Sequence, residues 1–432
     1  MTERKDHQTE ILLRRALASD PLEAQDVPEP IVRDAVRRGR RRRRLRRAGV
    51  AVIVVVVAAV ATVVSIQVFA PEPEDQPTTA QRTLVWERAA RSPLSPRSNP
   101  TLVQVGDVVV VLGGSAADPC PPSAGCVAPQ GDGLKDGAVY EPDRDTWRSI
   151  ARAPIGMANI SAASSGTTIY VLTRPRPVGE PQLWEYSLSQ DRWARLPAPP
   201  HSVDTVRAVG TDRLVAYAGA HAKSWTADQF YDIASRTWSS LPRDPLAPSQ
   251  DRNLLATDTG DLVLLAVGPY GHDDQGWAPW GAAQWKAKTK TWERVATSGI
   301  VDSEPTWWWE GGRIVNPSTQ TVDQDGSVSA TGGILDPVTK AWKRVPDMNR
   351  PSGLARVHPQ LEAAGSGKIL DSGQILDVAS RVWTSIPQPP EGFPTQDAAA
   401  IIIDDQVITF GGASFKSYRG TLTNDTWVLR LP

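Results

Sequence analysis

One phrase of eight residues recurs through most of the chain and constrains its fold more than any other feature. It reads Tyr140-Glu-Pro-Asp-Arg-Asp-Thr-Trp147 and returns as Tyr186…Trp193, Tyr231…Trp238, Trp285…Trp292, Leu335…Trp342 and Leu376…Trp383. Each time a large apolar residue stands seven positions before a tryptophan, with a polar turn between them. The tryptophans follow one another at intervals of 46, 45, 54, 50 and 41 residues. A period of this length marks an array of small supersecondary units, none able to bury its apolar face alone. Sixteen tryptophans against five phenylalanines suit a unit that reuses one tryptophan position.

Between the phrases, short β-patterns alternate with turn residues. In the first unit, Thr101–Val105 and Val108–Leu112 read as strands joined by Gly106-Asp107 and ended by Gly113-Gly114. Gly137–Tyr140 and Thr146–Ile150 read as the third and fourth strands. The plan repeats through 160–193, 205–241, 253–295, 307–342 and 361–383. A seventh unit has Ala398–Ile403, Val407–Phe410 and Thr426–Leu429, and lacks a fourth strand. Leu84–Arg88, which carries Trp86, belongs to no other unit and fits that place. The expected fold is all-β: a seven-bladed β-propeller over residues 83–432, closed by an N-terminal strand that protects the blade edges.

The double glycines Gly113-Gly114 and Gly411-Gly412, together with the aromatic-x6-tryptophan pairs, resemble the kelch-repeat β-propeller family within the galactose oxidase-like propeller superfamily. The middle units depart from that pattern. They keep only Gly219, Gly268 or Gly373 where a pair is expected, and Leu335 and Leu376 replace the tyrosine. The copper-dependent galactose oxidases are the enzymatic relatives that this resemblance implies, with Tyr and His ligands and a thioether-linked Cys. Here His201, His221, His272 and His358 are scattered and both cysteines share one short loop. No copper site, other cofactor or catalytic set is therefore expected.

Charge divides the chain. Residues 1–47 hold 14 Lys/Arg against 8 Asp/Glu, residues 48–70 hold none of either, and residues 71–432 hold 33 against 40. Residues 1–47 read as a short, basic, helical tail that ends in nine arginines between Arg37 and Arg47. Ala48–Ala70 is rich in Val, Ala and Ile, and as a helix it would rise enough to cross the hydrocarbon core, about 30 Å. The arginine run on one side and Pro71-Glu-Pro-Glu-Asp75 on the other predict a cytoplasmic N-terminus and an extracytoplasmic remainder. The basic run then meets anionic lipid headgroups of the plasma membrane, and nucleic acid is not an expected partner. Residues 71–82 read as a solvated linker.

Cys120 and Cys126 are the two cysteines, and outside the cytoplasm they are expected to form a disulfide; free thiols are the competing state. A blade of four antiparallel strands sends its first-to-second and third-to-fourth turns to one face. Its second-to-third loops and the blade-to-blade connectors go to the other. The second group is long here (115–136, 218–229, 268–283, 316–332 and 413–424), and loops on rigid scaffolds carry function. The most suggestive loop holds Tyr270, His272, Asp273, Asp274, Trp277 and Trp280, where aromatics can stack on a sugar and carboxylates can bind its hydroxyls. The competing reading has the same aromatics packing on their own blade. Three functions follow: recognition of an extracellular protein or glycan by the long-loop face, an extracellular carbohydrate-active enzyme, or a transmembrane sensor coupled to a cytoplasmic regulator. The first is preferred, and catalysis is not expected.

Overall fold

Each aromatic-x6-tryptophan phrase folds as one hairpin, and the spacing of seven is a register. In the computed structural model, Tyr140 lies directly opposite Trp147, Tyr186 opposite Trp193 and Tyr231 opposite Trp238. Trp285 faces Trp292, Leu335 faces Trp342 and Leu376 faces Trp383 in the same way. The structure describes residues 84–121, 133–174, 179–219, 228–267, 280–296, 298, 306–322, 328–330, 332–348, 361–371, 373–416 and 419–431. The expected tail, membrane span and linker at 1–82 lie outside these residues. Among the described residues no helix is long and apolar enough to cross a membrane.

Residues Gln81–Pro432 form one compact unit of seven four-stranded antiparallel blades. β1 (Trp86–Arg88) comes first in the chain. Blade 1 is β2 (Thr101–Val105), β3 (Val108–Leu112), β4 (Gly137–Glu141) and β5 (Thr146–Ser149). Blade 2 is β6 (Ser161–Ser165), β7 (Thr168–Thr173), β8 (Gln182–Ser187) and β9 (Arg192–Arg195). Blade 3 is β10 (Thr205–Val209), β11 (Arg213–Tyr217), β12 (Gln229–Asp232) and β13 (Thr237–Ser240). Blade 4 is β14 (Gln250–Ala256), β15 (Leu262–Val267), β16 (Gly281–Lys286) and β17 (Thr291–Val295).

Blade 5 opens with β18 (Trp308–Glu310) and β19 (Arg313–Asn316), then inserts a separate hairpin of β20 (Thr319–Val322) and β21 (Val328–Ala330). It resumes with β22 (Gly333–Asp336) and β23 (Ala341–Arg344). Blade 6 is β24 (Ala363–Gly365), β25 (Lys368–Asp371), β26 (Gln374–Asp377) and β27 (Val382–Ser385). Blade 7 has β28 (Ala399–Ile403) and β29 (Gln406–Phe410), a second inserted hairpin of β30 (Ala413–Lys416) and β31 (Arg419–Leu422), and then β32 (Thr426–Arg430). Its sheet order is β28-β29-β32-β1, with Trp86 opposite Leu429 and Arg88 opposite Trp427.

The core lies between blades. One apolar cluster joins blades 1 and 2 around Val103, Val110, Ile169 and Tyr186, and equivalent clusters fill the 2–3, 3–4, 4–5 and 5–6 seams. The 6–7 cluster contains Trp86, and the 7–1 seam holds Val109, Tyr140, Ile408 and Val428. Burial of these side chains supplies the main drive for stacking, at roughly 1.5–3 kcal/mol each.

The tryptophans add directional bonds to that burial. Trp147, Trp193, Trp238, Trp292, Trp342 and Trp383 each donate an indole N–H to a main-chain carbonyl of the preceding blade, at 2.7–3.1 Å. The acceptors are Ala90, Ala151, Pro197, Pro242, Ala296 and Pro346, always four residues past the preceding blade's own tryptophan. Trp86 follows the same rule, donating to Pro387 O at 3.1 Å. The polar turn of each phrase has four residues, and its last (Asp145, Asp191, Arg236, Lys290, Lys340 or Arg381) has φ between 48° and 59°. That left-handed conformation suits Asp far better than Arg or Lys.

The double glycines have a local cause. Gly113 and Gly412 both have positive φ, and a Cβ on either would overlap the main chain of a blade-to-blade connector, at Met157 and at Gln396 respectively. They let the second strands of blades 1 and 7 end flush against those connectors.

Candidate binding face

The antiparallel order gives the two ends of the propeller different characters. The first-to-second turns, such as 106–107, 311–312 and 404–405, are short, and the third-to-fourth turns have four residues in every case from 142–145 to 378–381. Polar groups at this short-turn end bond one blade to the next. Trp309 Nε1 donates to Asp258 at 2.9 Å, and Gly367 N donates to the Glu310 carboxylate at 2.9 Å. Burial raises the Glu310 pKa; the Gly367 bond opposes the rise and the Asp258 charge adds to it.

The opposite end carries the long connections. The inserted hairpins β20–β21 and β30–β31 both project from this end, where the sequence pattern suggested plain loops. Two buried ionic clusters brace the roots of the connections. Arg97, on the connector from β1 to β2, is completely buried and uses all five of its donors. Nε bonds Ser95 O at 2.9 Å; Nη1 bonds Gly113 O and Asp136 Oδ1, both at 2.9 Å; Nη2 bonds Asp136 Oδ2 at 3.0 Å and Ser95 Oγ at 3.1 Å. Its own main chain bonds Thr423 and Gly412 of blade 7, so one residue ties the seam between blades 7 and 1. Partial burial works against the Asp136 carboxylate, but the Arg97 hydrogen bond and charge outweigh it and hold its pKa below the usual range.

The second cluster joins blades 3 and 4. Arg252 on β14 donates to Asp228 Oδ1 at 2.9 Å and Oδ2 at 2.6 Å, and to Asp244 Oδ2 at 3.2 Å. All three side chains are at most 5% exposed. Two carboxylates share one guanidinium. Burial, reinforced by Asp244, pushes the Asp228 pKa up against the pull of Arg252. Burial also works against the Arg252 charge, but the bond and field of Asp228, with the field of Asp244, outweigh it and raise its pKa. Neither cluster was foreseen. The partners lie 39, 24 and 8 residues apart, and no spacing pattern joins them.

Of the residues singled out from the sequence, Tyr270, His272, Asp273, Asp274 and Trp277 lie outside the described residues. Trp280 is fully buried, its ring 5.7 Å from that of Trp307, in the apolar cluster between blades 4 and 5. Its indole packs between the blades. Cys120 is disulfide-bonded, and Cys126 lies outside the described residues. Among the described residues no three His, Cys, Asp or Glu side chains group as a metal site. The chemistry that the described part of this face offers is hydrogen bonding and charge pairing. The sequence matches no family model, and it matches no curated protein.

Proposed function

We propose that the chain is a membrane-anchored, extracytoplasmic kelch-type propeller that recognises a protein or glycan ligand through its long-connection face. The observation that carries this reading is the asymmetry of the two ends. One has turns of a few residues bonded blade to blade, and the other has long connections, two of them with hairpins of their own. A rigid ring that displays irregular segments on one side is suited to recognition. Tyr270, His272, Asp273, Asp274 and Trp277 contribute to that surface, and a Cys120–Cys126 bridge restrains the neighbouring connection. The double glycines at the ends of β3 and β29 support the kelch assignment.

We also read β1 as the clasp that closes the ring. Its pairing with β32 and the Trp86 bond to Pro387 support this. β1 runs from the short-turn end towards the long-connection end, since it lies antiparallel to β32, which starts at the root of a long connection. The arginines between Arg37 and Arg47 would hold the cytoplasmic headgroups.

The test uses the full chain in lipid nanodiscs, screened on a glycan array and by photo-cross-linking to envelope proteins. The expected outcome is cross-linked peptides within 115–136, 218–229, 268–283, 316–332 or 413–424. Cross-links confined to the turns at 106–107 or 404–405 would sink the proposal.

A further inference from the structure

A cavity of about 400 Å³ opens where β1 leaves blade 7, within the range of small-molecule sites, roughly 300–1,000 Å³. One wall is Arg88–Arg91, the stretch that leaves β1; the other is Asn424–Thr426, the root of β32. Both walls are fixed by hydrogen bonds. Ala89 N donates to Thr426 O at 2.9 Å, Ala90 N to Asp145 Oδ1 at 2.8 Å, and Asn424 Nδ2 to Leu94 O at 2.6 Å. Arg88 pairs with Asp425, its guanidinium 6.0 Å from the Trp427 ring centre. Arg91 is exposed and has no hydrogen bond or ion pair among the described residues. The lining residues hold two guanidinium groups against one carboxylate, with the Asp145 carboxylate behind Ala90. Asn424 Oδ1 and the outer lone pairs of Asp425 remain as acceptors.

We propose that this cavity binds a carboxylate-bearing sugar, with the carboxylate on Arg91 and ring hydroxyls on Asn424 and Asp425. A guanidinium matches a carboxylate in a planar, two-bond pairing that a lysine cannot reproduce. The amide and carboxylate oxygens then accept from hydroxyl groups, which a bare carboxylate such as acetate lacks. The two walls come from opposite ends of the folded chain, so a ligand held between them also ties β1 to β32. Binding to the paired state alone raises the stability of that pairing by mass action. The proposal deepens the reading of the long-connection face by naming one ligand class, and rests on it only for the setting of the site.

The experiment is calorimetric titration of the full chain in nanodiscs with sodium glucuronate, glucose and sodium acetate. Glucuronate is expected to bind saturably, with glucose and acetate each at least about tenfold weaker, as losing one charge-assisted or several neutral hydrogen bonds implies. Arg91→Ala should weaken glucuronate by about tenfold or more, and Arg91→Lys should recover only part of that loss. Without ligand, Arg91→Ala should melt as the parent does, because the side chain is exposed and unpaired. Glucuronate should also slow hydrogen exchange at the Glu87 and Ala89 amides in the parent and not in Arg91→Ala. Acetate binding as tightly as glucuronate, unchanged glucuronate affinity in Arg91→Ala, or no glucuronate binding would overturn the proposal. Cross-links of another ligand to the remaining long connections would leave the face intact while this site failed.

Discussion

Arg252→Met should expose how the seam between blades 3 and 4 is held. The substitution keeps much of the side-chain volume and removes the one cation shared by Asp228 and Asp244, which are buried beside it. Breaking a buried pair by deleting one partner costs about 3–5 kcal/mol, because the remaining charge is uncompensated. The compact unit has about 350 residues, so its unfolding entropy is about 0.7 kcal/mol per kelvin, and the melting point should fall by about 4–7 °C at pH 7. The loss should also depend on pH. In the variant Asp228 loses the cation that opposes the effect of burial, and its folded-state pKa rises further above the unfolded value. Protonation in the folded state therefore relieves the repulsion first, and the deficit should shrink as pH falls from 7 towards 5. Differential scanning calorimetry of parent and variant across that range measures both effects. A melting point lowered by less than about 1 °C at pH 7, or a deficit of equal size at pH 5, would refute the reasoning.

Three further outcomes follow from the same geometry. Trp193→Phe removes the 2.8 Å indole bond to Ala151 O and should cost about 1–3 kcal/mol in urea unfolding, since a partly buried carbonyl loses its donor. Lys290→Gly should stabilise the unit by about 0.5–1 kcal/mol in the same assay, because Lys290 sits at φ 56° in a turn that glycine enters without strain. Asp136→Asn should lower stability at pH 7, and the deficit should shrink as pH falls below about 4. The Asp136 pKa is held below its unfolded value, so its contribution is present above about pH 4 and is lost as pH falls through the lower folded value.

The parts of the fold legible in the sequence are those where one physical constraint repeats. The spacing of seven is visible because a four-residue turn places a large apolar residue opposite the tryptophan, and the same pairing recurs in six blades. Trp86 stood out as an unassigned tryptophan, and it lies opposite Leu429 with its indole on Pro387 O. Strand ends were less legible where the repeat decays. The first strand of blade 6 starts at Ala363 and not at Leu361, and β14 extends back to Gln250 through a register shift before Asn253. The hairpins β20–β21 and β30–β31 carry no periodic apolar pattern, and each forms a two-stranded sheet of its own.

The candidate site was less legible still. Arg97 and Arg252 look like ordinary surface arginines in the sequence, and only the folded ring brings Asp136, Asp228 and Asp244 to them. Trp280 illustrates the reverse case, an aromatic residue in a loop rich in ligand-like groups whose ring is buried between blades. Composition cannot separate those two uses of an indole, since both need a large apolar face and one polar N–H.

The account turns on blade 7 being assembled from β32 and β1 together, because both walls of the charged cavity depend on it. Hydrogen exchange of the full chain, read by mass spectrometry at Glu87 and Ala89, tests this most directly. The account predicts that the Glu87 and Ala89 amides, which face β32 in this register, are protected to a degree approaching that of Thr426–Arg430. Exchange at Glu87 and Ala89 as fast as in a free peptide, with β29 and β32 still protected, would contradict it.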